Sequence, residues 1–367
     1  MLLYIHIPYC RQRCIYCAFH SAAAKCVPDE YMQALCKELS ERRTTAPIET
    51  LYVGGGTPTL LSEEQWARLS HVIHQNYDLS HLREATVEVN PEQLTPHYAS
   101  LLTQQNLFNR LSIGVQSTHD VELRMLNRIH SAHQAVAAVE VALRNGFRNL
   151  SVDLIYGLPC STVESWRASL TQILSLPITH LSCYALTRES GTMLDHLLLT
   201  DALHLPDEET TMEQYEALLE ACEHEGFTQY EISSFCKPGH QSIHNSHYWD
   251  HTPYIGCGAG AHSFNGHSRR WNVSNNRAYT EGLLQRKPYF ETEQLNNTDL
   301  HNEYLMTALR TCRGIEKKRL NPLFASQTAN KIKKFITAGL VIETPTHYQP
   351  THQGLLQADG IAAALFE

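Results

Sequence analysis

The stretch "YCRQRCIYCAFH" (9–20) decides the fold, because it places three cysteines within eight positions, directly after an apolar run. Cys10, Cys14 and Cys17 have the spacing C-x3-C-x2-C, which puts three thiols on one tight loop. Structural zinc normally takes four ligands, and no second cysteine pair lies nearby. Three thiolates suit a [4Fe–4S] cluster with one iron open to another molecule. The spacing favours iron–sulfur and leaves zinc and coincidence open.

The whole chain has the composition of a globular protein, with 367 residues, 43% of them hydrophobic and 18% charged, and a net charge of −9. The negative charge disfavours a general nucleic-acid or anionic-membrane binder. Met1 leads directly into "LLYIHIP" without a signal peptide, and no apolar run reaches the roughly 18–20 residues of a membrane span. We therefore expect a cytoplasmic protein with at most peripheral membrane association, whose eleven cysteines stay reduced.

Six short apolar runs alternate with amphipathic stretches such as "SAHQAVAAVEVALRNG" (131–146) and predict parallel strands joined by helices. The predicted strands are "LLYIHI" (2–7), "ETLYVG" (49–54), "EATVEV" (84–89), "RLSIGVQ" (110–116), "NLSVDLIYG" (149–157) and "HLSCYAL" (180–186). A closed eight-stranded barrel usually needs about 250 residues, more than this alternation covers. The sequence therefore predicts an α/β fold, namely a partial open (β/α)6 TIM-like barrel.

The second half of the chain is less regular. Residues 237–276 are rich in Gly, His, Asn and aromatics, which predicts functional loops, and the polar residues 287–299 predict a linker. The end of the chain predicts two helices, a hairpin and a final helix, which is typical of a winged helix. We expect two domains: residues 1–290, the barrel with an extension, and residues 296–367, a small winged-helix-like α+β domain. Because the basic run 331–334 flanks an apolar stripe, we predict no nucleic-acid binding.

Six further motifs give the chain a family resemblance. They are "YIHIPYC" (4–10), "GGGTPT" (54–59), "VEVNPE" (87–92), "SIGVQS" (112–117), "LNRIHSA" (126–132) and "DLIYGLP" (153–159). The cysteine motif, with Tyr16 before its last cysteine, resembles that of the radical S-adenosylmethionine (SAM) superfamily. The motifs in this order resemble its oxygen-independent coproporphyrinogen III oxidase-like family, over nearly the whole chain. The resemblance implies a [4Fe–4S] cluster on Cys10, Cys14 and Cys17, whose open iron binds the amino and carboxylate groups of SAM.

The resemblance also implies which residues hold SAM. Glycines let backbone amides approach a ligand closely, and polar residues at strand ends lie on the ligand-binding side of a barrel. The implied SAM-binding residues are Tyr4, Gly55, Gly56, Thr57, Glu88, Gln116, Arg128 and Asp153. Among them, the carboxylates would take ribose hydroxyls or the ammonium group, and Arg128 would take the SAM carboxylate.

The family has two branches, an enzyme that decarboxylates coproporphyrinogen III and a heme chaperone that hands heme to respiratory proteins. The oxidase pattern resembles C-x3-C-x2-C-x-C, with a further cysteine two positions after the third, and this chain has Phe19 at that position. The stretch "HNSHYW" (244–249) resembles the chaperones' motif H-N-x-x-Y-W. The chain departs from the family pattern at Ala18 and Cys160, neither of them an expected cluster ligand. We therefore predict a heme chaperone rather than a coproporphyrinogen oxidase. The alternative is a porphyrinogen-decarboxylating enzyme, or another radical SAM enzyme acting on a tetrapyrrole.

The expected cargo and partners follow from this resemblance. They are heme and heme-accepting respiratory proteins, with the chaperone acting as a monomer or a homodimer. Imidazole is a good ligand for heme iron, so His244 is the predicted axial ligand, with the neighbouring aromatic residues packed against the macrocycle. His247, His262 and Cys257 are the rival ligands.

Overall fold

The computed structural model describes residues 1–367 and contains seventeen strands and fifteen α-helices. The strands are β1 (Leu2–Ile7), β2 (Tyr9–Cys10), β3 (Ala22–Ala23), β4 (Thr50–Gly55), β5 (Glu84–Val89), β6 (Arg110–Gln116), β7 (Asn149–Tyr156), β8 (His180–Ala185), β9 (Thr228–Glu231), β10 (Ser234–Cys236), β11 (Tyr254–Cys257), β12 (His262–Phe264), β13 (Ser268–Asn272), β14 (Phe290–Gln294), β15 (Ile315–Glu316), β16 (Val341–Glu343) and β17 (His347–Pro350). The helices are α1 (Asp29–Glu41), α2 (Glu63–Asn76), α3 (Pro96–Gln104), α4 (Asp120–Met125), α5 (Ala132–Arg144), α6 (Val163–Leu174), α7 (Met193–Leu199), α8 (Glu208–His224), α9 (Ile243–Trp249), α10 (Asn276–Gln285), α11 (Asn297–Ala308), α12 (Ala325–Lys331), α13 (Lys333–Thr337), α14 (His352–Leu356) and α15 (Ala358–Leu365). Strands and helices alternate through the first half of the chain, as predicted.

The main sheet has twelve strands in the order β14-β13-β12-β11-β1-β4-β5-β6-β7-β8-β10-β9. Its seven central strands, from β11 to β8, are parallel. The strands on either side of them are antiparallel. The edge strands β14 and β9 do not pair with each other, so the sheet is open. The prediction of an α/β fold with a partial open barrel is confirmed, and six of the parallel strands are the predicted ones.

The apolar sequence of the central strands reflects burial on both faces. All residues of β6 except Gln116 at its end are buried, and one core of 56 buried residues joins the strands to the surrounding helices. The helices α2, α5 and α6 each begin with a capping box, at Ser62, Ser131 and Thr162. Such a cap fixes the residue at which a helix starts. The polar residues between a strand end and the next helix are therefore free to form a site.

Residues 237–276 form regular structure, which contradicts the prediction of functional loops. They contain α9, β11, β12 and β13, and β11 pairs in parallel with β1 as a seventh barrel strand. The glycines that suggested loops instead allow close packing, because a Cβ on Gly256 would collide with the carbonyl oxygen of His262. Gly258 has a φ of +110°, which favours glycine. The composition of this segment reflects tightly packed short strands.

The prediction of a linker at 287–299 is also wrong. β14 pairs with β13 at the edge of the main sheet, and α11 follows almost directly. All five residues of β14 are exposed, so its sequence lacks the apolar residues that mark a buried strand. A polar edge strand of this kind protects a sheet from pairing with other chains.

The C-terminal region has its own apolar core, formed by thirteen buried residues of α11, the following strands and α15. Its three strands form a separate sheet in the order β15-β17-β16. The succession of helix, strand, two short helices, hairpin and final helices agrees with the predicted winged-helix-like domain. Across the chain, none of the helices combines the length and the apolar character that a membrane crossing requires.

Candidate functional site

A cavity of about 590 Å³ is lined by residues from the carboxyl ends of the parallel strands and from the loop after β1. The sheet brings together there ten of the residues that the sequence singled out. They are Cys10, Cys14, Cys17, Gly55, Gly56, Thr57, Glu88, Gln116, Arg128 and Asp153. Since the carboxyl ends of parallel strands meet at one edge of a sheet, residues far apart in the sequence share this cavity.

The three cysteines lie on the loop that begins at the end of β1. All three are free thiols, each partly exposed. Burial raises the pKa of Cys10 and of Cys17. No three His, Cys, Asp or Glu side chains of the chain are close enough to ligate one metal ion. In a [4Fe–4S] cluster each thiolate binds a different iron, whereas structural zinc takes four ligands, so three cysteines on one loop fit a cluster with one open iron better than a single zinc ion.

The glycines after β4 allow that strand end to contact the cysteine loop. Gly55 has a φ of +105°, and a Cβ there would collide with the imidazole of His6. A Cβ on Gly56 would meet the Tyr9 carbonyl oxygen at 2.6 Å. Any larger residue would therefore push the strand end away from the cysteines. The backbone amide of Gly55 donates a hydrogen bond to the Glu88 carboxylate at 2.9 Å.

Two carboxyl groups face the cavity from β5 and β7. Glu88 accepts hydrogen bonds from the Gly55 amide and from the Tyr52 hydroxyl, the latter at 2.8 Å, and burial raises the pKa of Glu88 to about 7. Asp153 accepts hydrogen bonds from the Ser112 hydroxyl at 3.2 Å, and burial raises the pKa of Asp153 as well. Both carboxyl groups are poorly solvated and can gain by pairing with a cation or with hydroxyl groups of a ligand.

Arg128 brings a positive charge to the cavity beside the cysteines. Its Nη1 donates to the Cys14 sulfur at 3.5 Å, and its Nη2 donates to Asn90 Oδ1 at 2.9 Å and to the Gly114 carbonyl. Burial acts to lower the pKa of Arg128, but the neighbouring Cys14 and Tyr16 raise it above its ordinary value. Its Nε is buried without a partner. The guanidinium thus stays charged and can take a carboxylate.

Gln116 lies at the end of β6 in a strained backbone conformation. Its φ is +68°, and the pairing of β6 with β7 shifts register between Gly114 and Gln116. Bulges and left-handed residues of this kind are common beside ligand sites, because they turn a side chain toward the ligand. Gln116 does line the cavity.

Sequence reasoning missed several polar residues of the cavity, four of which hydrogen-bond to the implied SAM-binding residues. Asn90 positions Arg128 and also donates to the Thr57 hydroxyl at 3.2 Å. It directly follows β5, so the rule that singled out other strand-end residues could have found it. The other three lie within strands and gave no sequence signal: Tyr52, Ser112 and Ser182.

Tyr4 does not line this cavity, and its contact with SAM stays a prediction. It lies instead beside a second, neighbouring cavity, with its hydroxyl hydrogen-bonded to Nδ1 of His6 at 2.8 Å. The side chains of Tyr4 and His6 project from the same face of β1, because they are two residues apart. That face contacts the second cavity rather than the first.

The geometry around His244 disfavours the predicted axial heme ligation, which stays a prediction. His244 is fully buried, and its two ring nitrogens are hydrogen-bonded to the Thr50 hydroxyl at 2.7 Å and to the Tyr248 hydroxyl at 3.0 Å. An axial ligand needs a free ring nitrogen on a ligand cavity, and His244 offers none. The Glu84 carboxylate on β5 accepts hydrogen bonds from the backbone amides of Ile243 and His244. Together with the bond from His244 to Thr50 on β4, these contacts hold α9 against the sheet.

We expect His244→Ala to destabilise the fold by about 2–4 kcal/mol, because two buried hydroxyls lose their partner and a cavity forms. This loss of stability relative to the wild type should be smaller at acid pH. Burial lowers the pKa of His244 to about 3, so it stays neutral in the folded chain while it takes up a proton in the unfolded chain below about pH 6.5. Lowering the pH therefore destabilises the wild type, because His244 is protonated in its unfolded chain, and His244→Ala lacks this effect.

Urea unfolding of both proteins at pH 7 and pH 5 measures this effect. The difference in the free energy of unfolding between the wild type and His244→Ala should be smaller by about 2 kcal/mol at pH 5 than at pH 7. The exposed residue His267 supplies the matched control, and His267→Ala should match the wild type at both pH values. A difference for His244→Ala that does not change with pH would show that His244 is not held neutral by burial.

Comparison with known proteins shows the family to which the chain is similar. The profile described as the Radical SAM superfamily matches residues 4–173, and that of the HemN C-terminal domain matches residues 295–356. The chain is 36% identical to a Bacillus subtilis (strain 168) protein named "Heme chaperone HemW", over 98% of each chain. It is 32% identical to the Escherichia coli (strain K12) protein of the same name, over 96% of this chain and 95% of that one.

A solved structure shares the whole fold. It is described as coproporphyrinogen III oxidase (HemN) from Escherichia coli, a radical SAM enzyme, and it superposes with a TM-score of 0.86 at 23% identity. The match covers 100% of this chain and 89% of that one. At this identity the likeness supports the fold alone.

The open parallel sheet, the three-cysteine loop and these matches define a radical SAM protein with a HemN-type C-terminal domain. Within that superfamily the chain belongs to the HemW family, because its likeness to those proteins extends over nearly its full length. The family resemblance expected from the sequence motifs is confirmed.

Proposed function

We propose that this protein is a cytoplasmic heme chaperone, which binds a [4Fe–4S] cluster, SAM and heme and delivers heme to respiratory hemoproteins. The observation that carries the proposal is the cavity in which three cysteines meet the guanidinium of Arg128 and two carboxyl groups. The names of the HemW relatives, both described as heme chaperones, support the heme part of the proposal.

The residues of the cavity fit both cofactors. Cys10, Cys14 and Cys17 would hold three irons, and the fourth would be left for SAM. Arg128, with its unpartnered Nε, would take the SAM carboxylate, while the poorly solvated Glu88 would receive hydroxyl or ammonium groups. A cluster of this kind, when it has SAM bound, supplies one-electron chemistry. The protein itself supplies the binding, the orientation and a cavity of limited volume.

Phe19 favours a chaperone over a porphyrinogen-decarboxylating enzyme. It takes the place two positions after Cys17 where the resemblance to the oxidases would require a cysteine, and 69% of its side chain is exposed. A phenyl ring can neither ligate iron nor donate a proton or a hydrogen atom as a thiol can. It can, however, pack against a flat apolar ligand.

We expect the reconstituted, reduced protein to bind heme and to leave coproporphyrinogen III unchanged. The test incubates it with SAM and coproporphyrinogen III and measures decarboxylated product by chromatography, while a parallel sample is titrated with hemin. An authentic coproporphyrinogen oxidase serves as the positive control for the assay. Product formed over multiple turnovers would contradict the chaperone function and would favour the enzymatic alternative. Failure to bind hemin would also contradict it.

A further inference from the structure

A second cavity of about 650 Å³ lies beside the cavity of the three cysteines, called the cluster cavity below. The two cavities share a wall, because Arg13, Ala18, Phe19 and Ser21 of the cysteine loop line both of them. Its opposite wall comes from Tyr248 of α9 and from the turn between β11 and β12. Its volume lies within the range of about 300–1,000 Å³ that is usual for sites of small molecules and cofactors.

We propose that this second cavity is the heme site and that His262 is the axial ligand of the heme iron. The proposal rests on the proposed function, since it takes heme as the cargo. It places the heme beside the cavity of the three cysteines rather than in it. The axial ligand is then His262 on β12 rather than His244 on α9.

His262 is the imidazole of this cavity best placed to bind iron. Its side chain is exposed, and neither ring nitrogen is hydrogen-bonded. The ring lies nearly parallel to the indole of Trp271 on β13, with centroids 6.1 Å apart and an angle of 24°, which fixes its orientation. Burial of part of the ring lowers the pKa of His262, so the neutral form that ligates metals prevails at neutral pH.

The other side chains near the cavity that could ligate iron are less exposed than His262. His6 is hydrogen-bonded through Nδ1 to Tyr4 and through Nε2 to the His20 carbonyl oxygen at 3.0 Å. His20 is hydrogen-bonded through Nε2 to Asn276 at 2.6 Å. The rival thiol of Cys257 is fully buried. His262 is the most exposed of these side chains, and its rival at the cavity is His20, whose Nδ1 has no hydrogen-bond partner.

The remaining walls match the two kinds of surface that heme presents. The aromatic rings of Phe19, Tyr248 and Tyr254 offer flat apolar area to the macrocycle. The exposed guanidinium of Arg13 lies at the same cavity, and a guanidinium pairs well with the propionate carboxylates. An apolar site with a free imidazole and one cation is what an amphiphilic iron porphyrin requires.

A hemin titration of the full-length, reconstituted protein tests the assignment. We expect His262→Ala to shift the Soret band and to weaken hemin binding by roughly tenfold or more, equivalent to ~1.4 kcal/mol. Added imidazole should restore the wild-type Soret band, because it replaces the missing ligand. Phe19→Ala should weaken binding without shifting the Soret band. Iron content and SAM affinity should stay at wild-type values in His262→Ala, which shows that the fold is intact.

The matched control is His267→Ala, which removes an exposed imidazole from the neighbouring turn, outside the cavity. It should bind hemin as the wild type does. If His262→Ala also retains the wild-type Soret band and affinity, the site assignment is wrong while the chaperone function stands. If the wild-type protein itself fails to bind hemin, the proposed function fails, and the heme site fails with it.

Discussion

Cys14→Ser is expected to abolish the cluster. The wild-type protein, reconstituted without oxygen, should contain about four irons and four sulfides per chain, and the variant should retain only a small fraction of them. The physical reason is that the thiolate is the ligand that Fe–S clusters require, and a serine hydroxyl does not replace it. Cys14 is also the cysteine whose sulfur contacts Arg128, so it lies on the side of the loop that faces the SAM residues.

The control for this experiment is Cys26→Ser. Cys26 is an exposed free thiol that lines neither cavity, and its loss should leave the iron content unchanged. A full cluster in Cys14→Ser would contradict the assignment of the three ligands. Tight stoichiometric zinc in the wild-type protein would contradict the type of metal centre.

Arg128→Ala should weaken SAM binding by roughly ten- to hundredfold, because charge-assisted hydrogen bonds contribute about 1.5–3 kcal/mol each. The buried Nε of Arg128 has no partner in the chain, so a ligand carboxylate can pair with it without displacing another acceptor. The cluster should survive the change, since Arg128 is not one of its ligands. Equilibrium dialysis with labelled SAM measures the affinity, and iron analysis of the same sample confirms that the cluster is intact.

Arg124→Ala is the matched control for Arg128. Arg124 lies four residues earlier on α4, exposed and outside the cavity, so its removal changes the net charge equally. It should bind SAM as the wild type does. Glu88→Ala adds an independent variant on another strand of the same site. Unchanged SAM affinity in both Arg128→Ala and Glu88→Ala would refute the placement of SAM.

The parallel strands could be predicted from the sequence because burial on both faces leaves an unmistakable signal. A run such as "RLSIGVQ" in β6 is apolar over nearly its whole length, and each of the six runs became a strand. The same regularity explains why most site residues were found. Glu88, Gln116 and Asp153 all lie at or near the ends of such runs, and a parallel sheet places those ends together.

The strands between residues 250 and 295 could not be predicted, since their signal depends on tertiary contacts. β11 is only four residues long and contains Gly256, which is required by the close approach of the His262 backbone. In the sequence such a glycine is typical of a loop. β14 has no buried residue at all, so no periodicity marks it.

Heme ligation by His244 is the residue-level expectation that the geometry supports least, and the cause is general. A histidine among aromatic residues satisfies the sequence pattern of a heme ligand and of a buried hydrogen-bonding residue equally well. The distinction depends on whether its ring nitrogens are free, and they pair with Thr50 and Tyr248. Asn245, the next residue of the same motif, does reach the cluster cavity.

The central claim is that three cysteines hold a [4Fe–4S] cluster whose fourth iron is open to SAM. Electron paramagnetic resonance of the reduced wild-type protein, recorded before and after addition of SAM, tests this claim most directly. A ligand on the open iron changes the electronic structure of the cluster, so we predict a cluster signal whose g values shift when SAM is added. A reduced cluster whose spectrum is identical with and without saturating SAM would contradict the claim.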